Sequence, residues 1–210
     1  MKFNLKNIIP IPLLDRNVDQ SALWGKDLSI SFGDYVHVNA PSGTGKTSLM
    51  NILYGLRTDF NGELALDIND EQILDWDVVR TKYISTVFQD LKLLENESAL
   101  VNILLKNQLF NHLSNSEIEE SAKILGIASL LNRKIKEMSR GERQRVAILR
   151  ALCMPFSCIL LDEPFSHLDA KNANAAAGLI LKHAVKNNAG IVMANLFQDD
   201  YFPYHVKYIL

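Results

Sequence analysis

Apolar and polar positions along the chain change period several times. Over 34–38, DYVHV alternates as a half-buried strand does, and it runs into a turn rich in small residues, APSGTGKTS at 40–48. Beyond the turn Leu49, Ile52, Leu53 and Leu56 recur at i, i+3, i+4 and i+7, one face of a helix. The first unit is therefore strand, loop, helix. GELALDI (62–68) and YISTVF (83–88) read as further strands. From about Leu94 to Leu152 the period turns helical: SALVNILLKNQLF (98–110) is an apolar helix, SEIE (116–119) opens another with a capping box, and RGERQRVAILRAL (140–152) has a charged first turn and an apolar continuation. CILLDEP (158–164) is a short apolar run ending in acids, the profile of a central parallel strand. A helix over 170–186, a strand GIVMAN (190–195) and a last strand VKYIL (206–210) complete the pattern. The expected fold is α/β, a P-loop NTPase core with a mixed sheet and an inserted helical subdomain. The core lobe spans about 1–93 and 153–210, and the helical lobe about 94–152, inserted after the fourth or fifth strand.

Composition narrows the function classes. With 210 residues, 48% of them hydrophobic and 22% charged, the chain fits one compact domain, perhaps of two lobes. A formal charge of −2 lacks the basic surplus of a nucleic-acid binder, so no nucleic-acid partner is expected. Cys153 and Cys158, in CMPFSC, have neither metal-ligand nor disulfide spacing and read as small core residues in a reducing compartment. No apolar run reaches the ~18 residues that span a bilayer. The opening MKFNLKNIIPIPLLDR is broken by prolines and followed by no small-residue cleavage site, so no signal peptide is expected. A membrane role has to come through a partner.

The turn carries the chemistry. APSGTGKTS follows the phosphate-loop pattern, with Ala40 where the first glycine stands. Gly43 and Gly45 let the backbone curl so that the N–H groups of Ser42 to Ser48 face phosphate oxygens, and the following helix adds the positive end of its dipole. Lys46 reaches the β- and γ-phosphates of ATP, and the Thr47 hydroxyl binds Mg²⁺. The plain alternative, an ordinary Ser/Gly turn, lacks the strand before and the helix after. Asp162, at the end of an apolar strand, is placed to meet Mg²⁺, and its neighbour Glu163 to address an attacking water.

MSRGERQRVAILRAL (138–152), shortly before ILLDEP, resembles the signature segment of the ABC-transporter ATPases: Met138, Ser139, Gly141, Glu142, Gln144 and Arg145 fit, and Arg140 replaces a glycine. VFQD with Gln89 resembles the family's Q-loop, SHLD with Asp169 its D-loop, and the order is the family's over nearly the whole chain. SLMNILYGL, VFQDLKLLE and SRGERQRVAILRAL look most like the lipoprotein-release, macrolide-export and cell-division ATPases, the LolD, MacB and FtsE type. The resemblance implies an ATP-binding subunit that dimerises and works on a separately encoded integral membrane subunit, at the cytoplasmic face of the inner membrane. Each ATP would lie between one copy's phosphate loop and Ser139, Gly141, Glu142 and Asp169 of the other copy. Gln89 would join Thr47 and Asp162 at Mg²⁺ and report the γ-phosphate to the membrane partner. At 140 a bulky side chain would crowd this approach, point to solvent or add a favourable charge.

Two further departures bear on activity. Family members carry an aromatic residue ahead of the phosphate loop that stacks on adenine; here that position falls near Pro12, and the nearest aromatics, Phe3 and Trp24, read as core. The strand after the D-loop helix ends in the family in a histidine that contacts the γ-phosphate; Asn195 holds that place. His205 is too far along to substitute, His37, His112 and His183 read as structural or solvated, and His167 lies in the D-loop. Exchanging a charge-assisted bond for a neutral one costs about 1–2 kcal/mol, or about 10- to 30-fold in rate. With Lys46, Thr47, Asp162 and Glu163 present, ATP binding with slow hydrolysis is expected. The alternative is a module that clamps ATP as a regulator or scaffold. A DNA-repair ATPase would need a coiled-coil insertion between Gln89 and Ser139, for which there is no room.

Overall fold

The computed structural model describes residues 1–16, 18, 20–68, 71–72 and 75–210. Strands β1 (Lys2–Pro10), β2 (Leu28–Ser31), β4 (Phe60–Ile68) and β5 (Glu71–Gln72) form an antiparallel sheet in the order β2-β1-β4-β5. Strands β3 (Tyr35–Asn39), β6 (Ile84–Val87), β7 (Cys158–Asp162), β8 (Gly190–Asn195) and β9 (Val206–Ile209) form a parallel sheet in the order β6-β7-β8-β3-β9. Both strand orientations thus occur, sorted into two sheets. The sorting follows from the connections: β6, β7 and β8 are each reached through helices, as parallel pairing requires, while β3 enters from β2 by a short turn into the other sheet.

Helix α1 (Lys46–Leu53) follows the loop after β3, and α2 (Trp76–Lys82) precedes β6. Helices α3 (Ala99–Phe110), α4 (Asn115–Ile124) and α5 (Arg140–Leu152) lie in the chain between β6 and β7, and α6 (Ala170–Lys186) joins β7 to β8. Six strands precede the helical stretch, rather than four or five, because the two-residue β5 adds an edge to the antiparallel sheet. All five residues of β7 are buried, as a strand covered on both faces must be. Ile159 and Leu161 enter one core with α3 to α6; Cys158 and Leu160 enter the other with α1 and the antiparallel sheet. Cys153 and Cys158 are buried free thiols, and burial pushes the Cys153 thiol up to about 12, which makes it inert.

Two local expectations need correction. Leu56 lies beyond the end of α1 and is 55% exposed; Leu49, Met50, Ile52 and Leu53 are the apolar residues the helix buries, because the chain turns at Gly55. The capping box of α4 starts at Ser114, not Ser116. The Ser114 hydroxyl accepts from the Glu117 N–H, and the Glu117 carboxylate accepts from the Ser114 N–H. α3 closes on Asn111 in the left-handed region, φ 47°, so the chain reverses early enough for the first serine of SNSE to cap.

Candidate functional site

The ends of β3, β7 and β8 bring the expected residues together. The loop after β3 curls through Gly43 at φ 81° and Gly45 at φ 102°. Gly45 is doubly constrained, because a Cβ there would sit 2.9 Å from the Leu13 side chain and 3.0 Å from the Trp24 ring. Trp24, buried beneath the loop, donates from its indole N–H to the Thr44 carbonyl at 2.9 Å, and the Thr44 hydroxyl donates to the Pro41 carbonyl at 2.8 Å. The loop is therefore shaped in advance. Lys46 is buried and folds back: its ammonium donates to the carbonyls of Ala40 at 2.9 Å and Pro41 at 3.0 Å, and stands 3.4 Å from Glu163 Oε1. The Ser48 hydroxyl accepts from Arg57.

Asp162 ends β7 with Oδ1 buried and without a hydrogen-bond partner among the described residues. Burial pushes its carboxyl up to about 6; the Glu163 and Asp90 charges act the same way, and the Thr47 hydroxyl and Lys46 offset only part. Beside it the Thr47 hydroxyl donates to Gln89 Oε1 at 2.9 Å. A carboxylate, a hydroxyl and an amide oxygen form a donor set suited to a hard divalent cation, and the orphaned oxygen of Asp162 is what such an ion would satisfy. The residues fit Mg²⁺. Among the described residues no cluster of three His, Cys, Asp or Glu could hold an ion by itself.

Glu163 follows in the left-handed region at φ 49°, a conformation that costs a non-glycine residue about 1–2 kcal/mol. Two bonds hold it there: its N–H donates to the Ala194 carbonyl at 2.9 Å, and its carbonyl accepts from Gln144 Nε2 at 2.9 Å. Gln144 Oε1 in turn accepts from the His167 N–H at 3.2 Å. Gln144 thus joins α5 to both Glu163 and the loop before α6, a role that residue-by-residue reading missed. The available signal was a glutamine on the face of α5 that also buries Ala147, Ile148 and Ala151.

The residues expected to serve a second copy have partners of their own. The Ser139 hydroxyl accepts from the Glu142 N–H at 3.3 Å and the Glu142 carboxylate accepts from the Ser139 N–H at 2.7 Å, a capping box on α5. Gly141 faces the His167 carbonyl, which a Cβ would approach to 2.7 Å, so glycine is needed for packing within this chain. Asp169 caps α6, accepting from the Asn172 N–H at 2.8 Å. Arg140 lines a cavity of about 620 Å³ with Thr47, Arg57, Gln89 and Asp162, so its charge borders the cation site of its own chain. The His167 side chain is exposed.

A narrower cavity of about 280 Å³ is lined by Pro12, Arg16, Gly43, Lys46, Thr47 and Glu163, among others. Pro12 is part of that lining. Phe3 and Trp24 are buried and unavailable to a base, while Arg16, donating to the Gly43 carbonyl at 3.0 Å, is the planar group at the rim. Asn195 is only half brought in. Its carbonyl accepts from the Ala40 N–H at 3.0 Å, beside the strand that carries Glu163. Its side chain turns away, Nδ2 donating to Asp199 Oδ2 at 3.0 Å and Oδ1 accepting from the Leu196 N–H at 2.8 Å. Asp199 also accepts from the Tyr204 hydroxyl at 2.7 Å and lies 3.3 Å from the buried His37 ring. Burial would raise its carboxyl, but the neighbouring His37 ring and the bonds from Asn195, Tyr204 and the Tyr201 N–H outweigh it and hold it below the usual range. His205 stacks on Tyr35, with ring centroids 5.1 Å apart, and accepts from the Tyr35 N–H through Nδ1.

A family model described as ABC transporter matches residues 24–166. The chain is 35% identical over 186 residues to the glucose import ATP-binding protein GlcV of Saccharolobus solfataricus, covering 85% of this chain and 51% of that protein. To the lipoprotein-releasing system ATP-binding protein LolD of Psychrobacter arcticus it is 33% identical over 170 residues, covering 78% of this chain and 75% of that one. Among solved structures, the dimeric structure of MJ0796, a bacterial ABC transporter cassette, superposes with a TM-score of 0.74 at 27% identity, covering 93% of this chain and 88% of that one. A second structure of that cassette is a post-hydrolysis state bound to ADP and Pi. No helix among the described residues is long and apolar enough to cross a membrane.

Proposed function

The chain belongs to the ABC transporter ATP-binding family, and from that premise we propose that it is the ATPase subunit of a LolD-like membrane complex, binding Mg-ATP between two copies and hydrolysing it slowly. The observation that carries this reading is the junction of β3 and β7, where Lys46 meets Glu163 at 3.4 Å and Asp162 presents an unpaired oxygen next to Thr47 and Gln89. Phosphate oxygens give Lys46 an anionic partner in place of the Ala40 and Pro41 carbonyls, which frees Glu163 from the ammonium. Thr47, Gln89 and Asp162 would hold Mg²⁺, which would supply positive charge against the phosphates. Glu163 then takes a proton from the water that attacks the γ-phosphorus, and ADP leaves. The N–H groups of Ser42, Gly43, Thr44, Gly45, Lys46, Thr47 and Ser48 cradle the phosphates, and the second copy contributes Ser139, Gly141, Glu142 and Asp169. The dimer works on a separately encoded integral membrane subunit at the cytoplasmic face of the inner membrane, and binds no nucleic acid.

One observation favours a second reading, an ATP clamp with little turnover: the Asn195 amide is spent on Asp199 and Leu196. Phosphate release measured on wild type and Glu163→Gln, with ATP-dependent dimerisation followed by size exclusion, separates the two. Turnover abolished by Glu163→Gln with dimers retained supports the ATPase; dimers with no wild-type turnover support the clamp.

A further inference from the structure

The segment after Gln89 is held in an unfavourable shape. Leu91 and Lys92 are consecutive non-glycine residues at φ 62° and φ 47°, in the left-handed region that side chains disfavour. Neither is a surface accident, because each carbonyl is claimed by one guanidinium. Arg150, in the last turn of α5, donates from one terminal nitrogen to the Leu91 carbonyl at 2.6 Å and from the other to the Lys92 carbonyl at 2.6 Å. These are two short charge-assisted bonds from a planar fork that no other side chain reproduces. Farther on, the buried Asn102 of α3 grips Leu94 from both sides: Oδ1 accepts from its N–H at 2.8 Å, and Nδ2 donates to its carbonyl at 3.2 Å. At the other end Gln89 accepts from Thr47. The segment is thus tied to α1 at its start and to α5 and α3 beyond, with the strained pair in between. A cavity of about 350 Å³ lined by Tyr54, Phe88, Lys92, Leu94, Leu105 and Arg150 leaves it room to relax once released.

We propose that Arg150 is a positioning residue for Gln89: a latch that keeps Leu91 and Lys92 left-handed and so holds the Gln89 amide oxygen at the Thr47 hydroxyl. Without the latch the two residues return to φ below zero, the segment rotates, and Gln89 leaves the cation site. The inference rests on the proposed role of Gln89 at Mg²⁺, but the latch itself is open to a measurement that needs no nucleotide.

The test uses the full chain with Arg150→Gln, which keeps the stem and loses the charge and the fork, and Arg150→Lys, which keeps the charge and reaches one carbonyl at a time. Hydrogen exchange of the 89–94 amides is expected to quicken by about tenfold in Arg150→Gln and by less in Arg150→Lys. The Mg²⁺ concentration for half-maximal ATP turnover rises by a similar factor, about tenfold, while ATP affinity in EDTA stays within about twofold. Strain relief is the discriminating arm. Lys92 is exposed and, among the described residues, its ammonium pairs with the neighbouring Asp90 at 2.6 Å, so Lys92→Ala serves as the control for loss of the side chain itself. In the Arg150→Gln background Lys92→Gly should recover about fivefold of both losses, because glycine adopts φ 47° freely, and Lys92→Ala should recover none. Unchanged exchange at 89–94, or equal rescue by alanine and glycine, overturns the latch. Faster exchange with glycine-only rescue but an unmoved Mg²⁺ dependence supports the latch and removes Gln89 from the cation site.

Discussion

Asp162 is a buried carboxyl held above its ordinary range, and replacing it should make the metal-free protein more stable while ending its use of Mg²⁺. The carboxyl is 3% exposed and its folded value is pushed from 3.8 up to about 6. A raised carboxyl favours the proton in the folded state. Below pH 3.8 both states hold that proton and the group costs nothing; between there and about 6 the unfolded chain sheds it while the folded chain resists, so stability falls as pH rises. Above about pH 6 the deficit is constant at the shift of roughly 2 units, or about 3 kcal/mol. Asp162→Asn keeps the shape and removes the ionisation. At pH 7 in EDTA the variant should gain about 2–3 kcal/mol, allowing for an amide N–H that also needs a partner, and should melt about 5–10 °C higher. At pH 4.5 the gain shrinks to about 1 kcal/mol, because there the wild-type folded carboxyl is already protonated. Urea and thermal denaturation followed by circular dichroism at the two pH values measure this directly. Equal stability at pH 7, or a gain of the same size at pH 4.5, would refute the argument that desolvation of a single carboxylate sets the deficit. Mg-ATP should narrow the gap, since it stabilises wild type through Asp162 and has less to hold in the variant.

Three further outcomes are expected. Asn195→His should raise steady-state phosphate release by about 10- to 30-fold, because the added imidazole is charge-capable and Asp199 is in place to orient it; no change from a wild type that already turns over normally would sink this. Glu163→Gln should lower turnover by about a hundredfold or more while ATP-dependent dimers accumulate on size exclusion, and persistent hydrolysis would remove Glu163 from the chemistry. ATP and GTP should bind within about tenfold of each other, because the nearest aromatics, Phe3 and Trp24, are buried and the cavity lining offers Pro12 and Arg16 instead; a strong ATP preference at micromolar affinity contradicts that.

What could be read from the residues and what could not divide along a physical line. CILLD, the 170–186 helix and GIVMAN came out with their ends in place because each is set by a local period and a local stop: full burial of five apolar residues, an Asp169 cap, a strand entered at Gly190. The phosphate loop was equally legible, since its shape follows from glycines at 43 and 45 whose φ values no other residue takes readily. Legibility fails where a residue's behaviour is decided by a partner distant in sequence. Leu91, Lys92 and Glu163 are left-handed without being glycine or asparagine, and no local rule announces it. Arg150, 58 and 59 residues on, sets the first two, and Gln144 with Ala194 sets the third.

Asn195 shows the same limit from the other side. Its place at the end of β8 was clear, and the expectation that it faces phosphate assumed a free amide. A carboxylate four residues later takes one amide hydrogen and the backbone takes the oxygen. The reason lies in His37, a fully buried imidazole on β3 that stands 3.3 Å from Asp199. Asp199 is a half-buried carboxylate that accepts from Tyr204, the Tyr201 N–H and Asn195, with the His37 ring 3.3 Å away. Position 195 is therefore tied to the packing of β3 against the 196–205 segment. A substitution at His37 or Tyr204, neither of which lines the cavity beside Lys46 and Glu163, should redistribute the bonds on Asp199 and shift turnover through Asn195.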